Sequence, residues 1–569
     1  MIKDDLGRRA PGIGMQGSPA RGRSGNPTMA YSGGSVMSGS TKGRSSRSVL
    51  MIACLFLLGT SAVLADTLWT KTYGSPSGGD DGVCSVLSDT FNNTVVVGWS
   101  AGASGAGGSD FVILKYSWFH GNTMWTKLIT GDSTDDVARD AAIEATGTVV
   151  ATGQTGRDPN YDILTVQLDP NGNEDWRATY AGSGSGGDVG TAITTDTAGG
   201  VYVAGYAQNT SVDFVTIKYN WDGSRAWAQT YDAGGEDKPV AIALGPDGSV
   251  YVTGKGGSDY LTVKYSATGV RKWVKSYNAP YGQTDWATAL AVDSDGNAYV
   301  TGTARTASGP TGENNFATVK YDTAGTQLWA KTYARNGSEP TGLALGPSAL
   351  YITGQTRSAT GPDADFVTVA YDYATGDTLW ARRETSVTGG GDYAVGVAVG
   401  TDSSIWVTGT SNYDIKTVLY SPDGVQHWVQ MWESGSADEA AAIVLDRNNK
   451  VVVSGYMWAG SGYDIQTVKF DTLPLAVSEP RHGGKLSGIR LAVAPNPTTS
   501  GHVTLSYGLV KAGAARVTVT GADGRVALAQ SLAAGGTCPL DLRDLRAGVY
   551  VVRLESGGRA ATQKLIIGQ

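Results

Sequence analysis

A tryptophan that returns at Trp69, Trp125, Trp176, Trp227, Trp273, Trp329, Trp380 and Trp428, about every 46 to 56 residues, constrains this chain more than any other feature. A period of that length means one supersecondary unit repeated, each copy unable to bury its own faces and therefore stacked on the next. Between successive tryptophans three segments recur in fixed order. They are a small-apolar run such as Ala287 to Val292, a run ending in glycine such as Tyr299-Val300-Thr301-Gly302, and an alternating run such as Thr318-Val319-Lys320-Tyr321. Each has the length and β-branched content of a strand. The stretches Asp293-Ser294-Asp295-Gly296-Asn297, Pro246-Asp247-Gly248-Ser249 and Pro422-Asp423-Gly424 are tight-turn sequences, and turns this short force antiparallel hairpins.

Four antiparallel strands per unit, repeated radially, is the β-propeller arrangement. We expect an all-β chain whose residues 66–471 form an eight-bladed propeller, with a seven-bladed ring plus a fragment as the alternative. The small-apolar strand is expected innermost and the tryptophan strand outermost. The first tryptophan strand, Trp69 to Tyr73, has no unit of its own, and the last unit ends at Thr467-Val468-Lys469-Phe470 without one. The N-terminal strand should then complete the last blade and close the circle. Tryptophans at one repeat position read as packing that fills the widening gap between blades.

The run from Asp213 to Tyr219, continuing through Gly223 to Trp227, resembles the bacterial β-propeller repeat of exported surface proteins, as does Asp259 to Trp273. The resemblance extends through all eight units and implies a fold rather than a function. Asp372 to Trp380 is also similar to the tryptophan-docking repeat of quinoprotein dehydrogenases. Those enzymes carry adjacent cysteines over the quinone, and no two of the three cysteines here are neighbours.

The flanking segments read differently. Residues 1–47 hold eight Lys or Arg and two Asp among Gly and Ser, with no apolar period, and are expected to be a disordered extension. Residues 48–65 read as a signal peptide: basic residues Lys42, Arg44 and Arg47, an apolar stretch from Val49 to Leu64, and small residues that place cleavage after Ala65. That stretch is short for a membrane span, so the mature chain is expected to have none. Cys54 falls inside the signal, and Cys84 and Cys538 belong to separate domains, which argues against a disulfide. Residues 472–488, with Pro474, Pro480, Gly483 and Gly484, read as a linker. Residues 489–569 show the alternation of an immunoglobulin-like β-sandwich. Pro495-Asn496-Pro497, the turn at Gly524-Arg525, Gly548-Val549-Tyr550 and the terminal Lys564-Leu565-Ile566-Ile567 resemble the C-terminal sorting domain of type IX secretion. The resemblance implies the type IX machinery as a partner, and passage through the periplasm to the outer surface or the medium.

A search for chemistry returns no catalytic constellation. The four histidines, His120, His427, His482 and His502, lie in different turns, strands and domains, which leaves no material for a triad or a zinc cluster. Net charge is −8, which argues against nucleic acid as a partner. Acids recur at two places per unit. One set comprises Asp110, Asp162, Asp213, Asp259, Asp365, Asp414 and Asp464, with Asn315 in the remaining unit; the other comprises Asp81, Asp136, Asp188, Asp237, Asp285, Glu339, Asp392 and Asp438. Both sets should share one face, and capping of local backbone N–H groups is preferred to cation binding. No cofactor is expected, although Asp293 to Asn297 has the look of a calcium-loop start without its downstream Glu. Function must break the repeat, and loop lengths vary most on the acidic face. Trp99, Tyr206, Trp286, Tyr393 and Trp458 are aromatics near that face that most other units lack, and they are the candidate ligand-binding residues. The favoured function is surface binding or adhesion to a glycan or protein; a polysaccharide hydrolase or lyase comes second and a structural surface-layer component third.

Overall fold

The computed structural model describes residues 66–102, 108–130, 135–157, 159–280, 282–305, 314–333, 337–357, 364–385 and 391–471, and in the C-terminal part 490–494, 502–508, 515–521, 525–532, 536–543, 545–546, 548–556 and 559–567. The N-terminal extension, the signal segment, the linker and Pro495-Asn496-Pro497 lie outside the described residues. The chain divides into two compact units, Met1–Leu475 and Ala476–Gln569. Every regular element among the described residues is a strand.

In the first unit the strands group into eight four-stranded antiparallel sheets that resemble propeller blades. Sheet 1 runs Asp81–Ser88, Thr94–Ala101, Ser109–Tyr116 and Thr123–Ile129, hydrogen-bonded in that order. Sheets 2 to 8 begin with Val137–Ile143, Val189–Thr195, Asp237–Leu244, Trp286–Val292, Glu339–Leu345, Asp392–Val399 and Asp438–Leu445. The fourth strand of sheet 8 is Asp66–Tyr73, paired antiparallel with Tyr463–Asp471. The N-terminal strand therefore completes the last sheet. First strands contact first strands around a closed cycle, sheet 8 against sheet 1 included.

Three repeated devices build each sheet. Each first strand carries a bulge, as between Val83 and Ser85 or Pro239 and Ala241. The bulge presses the first strand onto a glycine of the second: a Cβ on Gly98 would lie 1.8 Å from the Gly82 carbonyl oxygen, and one on Gly254 2.1 Å from that of Lys238. Only glycine fits there, which explains the glycine-ended run. In the middle strands buried hydroxyls satisfy one another across the ladder, as between Thr253 and Thr262 at 3.0 Å and Thr408 and Thr417 at 3.0 Å.

The third device joins neighbouring sheets. The tryptophan of one fourth strand lies over a positive-φ glycine in the turn between strands three and four of the next sheet. A Cβ on Gly223 would sit 2.7 Å from the Trp176 ring, and one on Gly376 2.7 Å from the Trp329 ring. The indole N–H also donates into that turn, Trp176 to the Trp221 carbonyl at 3.1 Å and Trp329 to the Tyr373 carbonyl at 3.2 Å. These rings are packing elements, as the repeat implied.

The second unit contains a three-stranded sheet of Arg490–Ala494, His502–Gly508 and Gly536–Asp541, and a four-stranded sheet of Val526–Leu532, Ala515–Gly521, Gly548–Ser556 and Arg559–Ile567. Val503, Leu505 and Leu540 of the first share one core with Val517, Val519, Val552, Leu554 and Leu565 of the second.

The tryptophan joint can be weighed by comparing two glycines. Gly435 has φ +91° with nothing within 4 Å of a Cβ, whereas Gly376 has φ +70° under Trp329. Gly435→Ala is expected to cost about 1–2 kcal/mol of backbone strain. Gly376→Ala adds overpacking, for a total of about 2–5 kcal/mol. Denaturant unfolding of both variants checks this, and equal losses would show that the joint carries no stability.

Candidate functional site

The bulge and the glycine define one cross-strand pair in every sheet, directly after the second-strand glycine and directly after the first-strand acid, or after Ser338 in sheet 6. From sheet 1 to sheet 8 the pairs are Gly82 with Trp99, Val137 with Gln154, Val189 with Tyr206, Lys238 with Lys255, Trp286 with Thr303, Glu339 with Gln355, Tyr393 with Thr410, and Glu439 with Tyr456. The pair faces the following sheet: the Lys238 ammonium of sheet 4 sits 5.3 Å from the Tyr206 ring of sheet 3, and the Ala440 N–H of sheet 8 donates to Thr410 Oγ1 of sheet 7 at 3.1 Å. Four of the five sequence candidates, Trp99, Tyr206, Trp286 and Tyr393, occupy this one register position and are half-buried. Trp99 lies across Gly82, where a Cβ would meet its ring at 2.6 Å.

Trp458 stands elsewhere. It pairs with Tyr463 near the end of its strand, its ring 5.2 Å from that of Tyr463, and is 41% exposed. The residue of sheet 8 at the shared position is Tyr456, whose ring is 5.6 Å from the other side of the same Tyr463 cluster. Its signal was available, since Tyr456 follows Gly455 as Tyr206 follows Gly205. Sequence reasoning also missed Lys238, Lys255, Glu339 and Glu439 at the shared position. At the opposite ends of the strands it missed an exposed aromatic group in sheet 1, Phe91, Trp118 and Phe119, the last two with rings 5.1 Å apart.

The acids lie beside this position and hold loops. Asp81 accepts from the Ser75 N–H at 2.6 Å and the Ser100 hydroxyl at 2.6 Å, and Asp285 from the N–H groups of Ala279 at 2.6 Å and Arg305 at 2.8 Å. Their own backbones tie sheet to sheet: the N–H of Asp285 donates to the Ser258 carbonyl at 2.7 Å, and that of Asp438 to the Tyr413 carbonyl at 2.6 Å. In sheet 6 the residue making this bond is Ser338, to the Asn314 carbonyl at 2.8 Å. Glu339 is therefore not the sixth member of the acid set; it is shifted by one and belongs to the variable pair. The two acid sets do share an end of the sheets, and members of adjacent sheets repel. Burial, with Asp464 adding to it, pushes the Asp81 carboxyl up to about 6. Burial likewise raises Asp188, with Asp162 nearby, and Asp285, with Asp259 nearby.

Cation sites were sought among these acids. Asp293 of the calcium-like turn takes N–H groups of Asp295 at 3.0 Å and Asn297 at 2.8 Å on one oxygen, and the Asn297 amide at 2.8 Å and Tyr299 hydroxyl at 3.0 Å on the other. Both oxygens of Asp293 thus serve the hairpin turn itself. Carboxylate oxygens of Asp213, Asp232 and Asp237 come within 4.8 Å of one another, with Asp237 already bonded to the N–H groups of Ala233 and Gly257.

A different carboxylate breaks the symmetry farther along the first strands. The residue after the bulge is Ser85, Ala192, Ala241, Ala289, Gly342, Gly396 or Ala442 in seven sheets and Asp140 in sheet 2. Asp140 accepts from Ser85 Oγ at 2.8 Å in sheet 1 and from the Ile193 N–H at 2.9 Å in sheet 3, and burial raises its carboxyl. It staples three first strands together.

Comparison with known proteins fits this geometry. Residues 492–568 match the family described as Secretion system C-terminal sorting domain, and residues 272–305 match the Beta-propeller repeat. The chain thus carries a type IX sorting domain at its C-terminus and a β-propeller repeat in its first unit. Such a tail indicates export to the outer surface or the medium and implies interaction with the type IX secretion system. No helix among the described residues is long and apolar enough to cross a membrane. No curated protein matches the chain. Similar solved structures include a quinohemoprotein alcohol dehydrogenase of Pseudomonas putida, at 14% identity over 75% of this chain and 79% of that one, with a TM-score of 0.46. Sqt1 of Chaetomium thermophilum gives 12% identity over 72% of this chain and 100% of that one, with a TM-score of 0.44. A putative 6-phosphogluconolactonase of Bacteroides fragilis gives 12% over 65% and 99%, with a TM-score of 0.36. Likenesses this distant do not bear on function.

The Asp81 carboxyl supplies a pH test. Its pKa is raised by folding from an ordinary 3.8, so the fold takes up a proton there between the two values. The corresponding stability is present below the unfolded value and is lost as pH rises through about 6. Asp81→Asn, which keeps an acceptor for Ser75 and can donate to Ser100, is expected to flatten that decline in urea midpoints measured across this interval. A decline of unchanged slope would show that Asp81 is not its source.

Proposed function

We propose that the chain is an exported eight-bladed β-propeller whose variable pair positions form a rim that binds a glycan at the cell surface or in the medium. In this reading the eight sheets are the blades of one ring, residues 48–65 are the export signal, and the C-terminal unit is an immunoglobulin-like β-sandwich that delivers the propeller through type IX secretion. The observation that carries the reading is positional. Repeat architecture fixes the bulge, the glycine and the tryptophan of each sheet and the acid in seven of the eight, yet the pair between them changes in every sheet, and five of the eight pairs include Trp or Tyr. Half-buried aromatics on a rigid frame offer flat apolar faces to sugar rings at little entropic cost.

The reading is one of binding rather than turnover. Among the described residues the only pair-position carboxylates are Glu339, which accepts from the Gln355 amide at 3.2 Å, and Glu439, two sheets away. The arrangement lacks two facing carboxylates of the kind glycoside hydrolysis uses.

Trp286→Ala is expected to weaken binding to a glycan identified on a panel by about tenfold or more, roughly 1.4 kcal/mol, with the unfolding midpoint nearly unchanged. Trp118→Ala, at the opposite ends of the strands, is expected to leave that affinity intact. Loss of binding in Trp118→Ala alone would move the site to the Phe91, Trp118 and Phe119 group.

A further inference from the structure

Sheet 4 is the one place where the variable pair is doubly charged with a single sign. Lys238 and Lys255 are direct cross-strand partners. Like charges facing one another across a ladder destabilise it, and partial burial sharpens the penalty by removing water from the ammonium groups. Both lysines are half-buried. Lys238 is eased by the face of Tyr206 at 5.3 Å and by the exposed Glu236 carboxylate at 3.9 Å. Lys255 has no ion pair among the described residues. The neighbouring acid does not compensate: Asp237 points to the other face of its strand, where Ala233 and Gly257 hold both of its oxygens.

The surroundings say what would compensate. Sheet 3 brings Tyr206 and sheet 5 brings Trp286 to the same register position on either side, and the first strands of sheets 3, 4 and 5 are in contact. A cross-strand pair of lysines with the Tyr206 ring beside it suits a ligand with an anionic group and a flat apolar face. On a chain of net charge −8, such a positive pair at a variable position has no architectural role that the other seven sheets share.

We propose that Lys238 and Lys255, with Tyr206 of sheet 3 beside them, form a subsite for the carboxylate or sulfate of an anionic sugar residue. The inference rests on the rim reading and specifies the class of glycan. The anion lies between the ammonium groups, cancels their repulsion and accepts charge-assisted hydrogen bonds from both, while the sugar ring packs beside Tyr206.

Calorimetric titration of the full chain with three probes of matched length tests this: an oligogalacturonate carrying carboxylates, a sulfated galacto-oligosaccharide, and a neutral galacto-oligosaccharide. At least one anionic probe should bind about tenfold or more tighter than the neutral one. Which anionic probe does so separates carboxylate from sulfate recognition. Lys238→Met with Lys255→Met should bring that preference to within about twofold. Because the substitution removes a repulsion, the doubly substituted protein should melt no lower than the parent, which shows that lost binding is not lost fold. Equal binding of the three probes, or a preference that survives both substitutions, overturns the anion subsite and leaves the rim reading standing. Failure of every saccharide to bind overturns both.

Discussion

The stacking of a fourth-strand indole over a positive-φ glycine of the next sheet is the contact on which the rest of the first unit depends. An isolated four-stranded sheet leaves both faces apolar, and the outer parts of neighbouring sheets diverge, so a large side chain has to fill the wedge. The indole fills it only where the facing residue has no Cβ, and its N–H is satisfied only where a turn carbonyl is within reach. Third-strand lysines reinforce the same point: Lys115 donates to the Pro170 carbonyl at 3.2 Å and Lys264 to the Thr323 carbonyl at 3.1 Å, the carbonyls that also accept from Trp125 and Trp273. The joint closes the cycle as well, because a Cβ on Gly121 of sheet 1 would meet the Trp69 ring at 2.6 Å. One step earlier the pattern changes. In sheet 8 no turn joins strands three and four, which are Tyr463–Asp471 and Asp66–Tyr73, and Trp428 packs on Trp406 at 5.4 Å and Phe470 at 5.6 Å.

Architecture of this kind decides where function can be written. The indole joint sits at the fourth strand, the glycine contact at the second, and the acid at the start of the first, and none of these can vary without loss of packing or of a loop anchor. The pair beside the bulge is bounded by fixed positions on both strands yet faces the gap toward the next sheet. It can therefore hold glycine under Trp99, two lysines, or a glutamate bonded to glutamine without disturbing the ladder. Asp140 is the opposite case, a symmetry-breaking carboxylate fully engaged in joining three sheets.

Much of this was legible from the sequence because indole and glycine are demanded by shape. The tryptophan period marked every sheet, the leftover strands at the two ends foretold the pairing of Asp66–Tyr73 with Tyr463–Asp471, and acids that open the first strands, such as Asp81 and Asp285, cap loop N–H groups. Register was not legible. The bulge inserts one residue into each first strand, so the partner of a first-strand residue cannot be counted from the hairpin turn. That is why Glu339 was grouped with the acids although Ser338 makes the anchoring bond, and why Lys238 and Lys255 were not seen to face one another, whereas Tyr456 could have been found by its place after Gly455. Sequence reasoning named four of the five aromatics at the pair position and neither of its lysines.

The central claim is that eight sheets form one ring closed by the N-terminal strand, and it is tested most directly by removing that strand. In a protein lacking Asp66–Tyr73, hydrogen exchange should lose protection first along Tyr463–Asp471, which becomes an edge, and the loss should spread into sheet 1 where Gly121 has lost the Trp69 ring. The urea midpoint should fall by more than an eight-residue surface strand would explain. Unchanged protection of both segments, with an unchanged midpoint, would contradict the account.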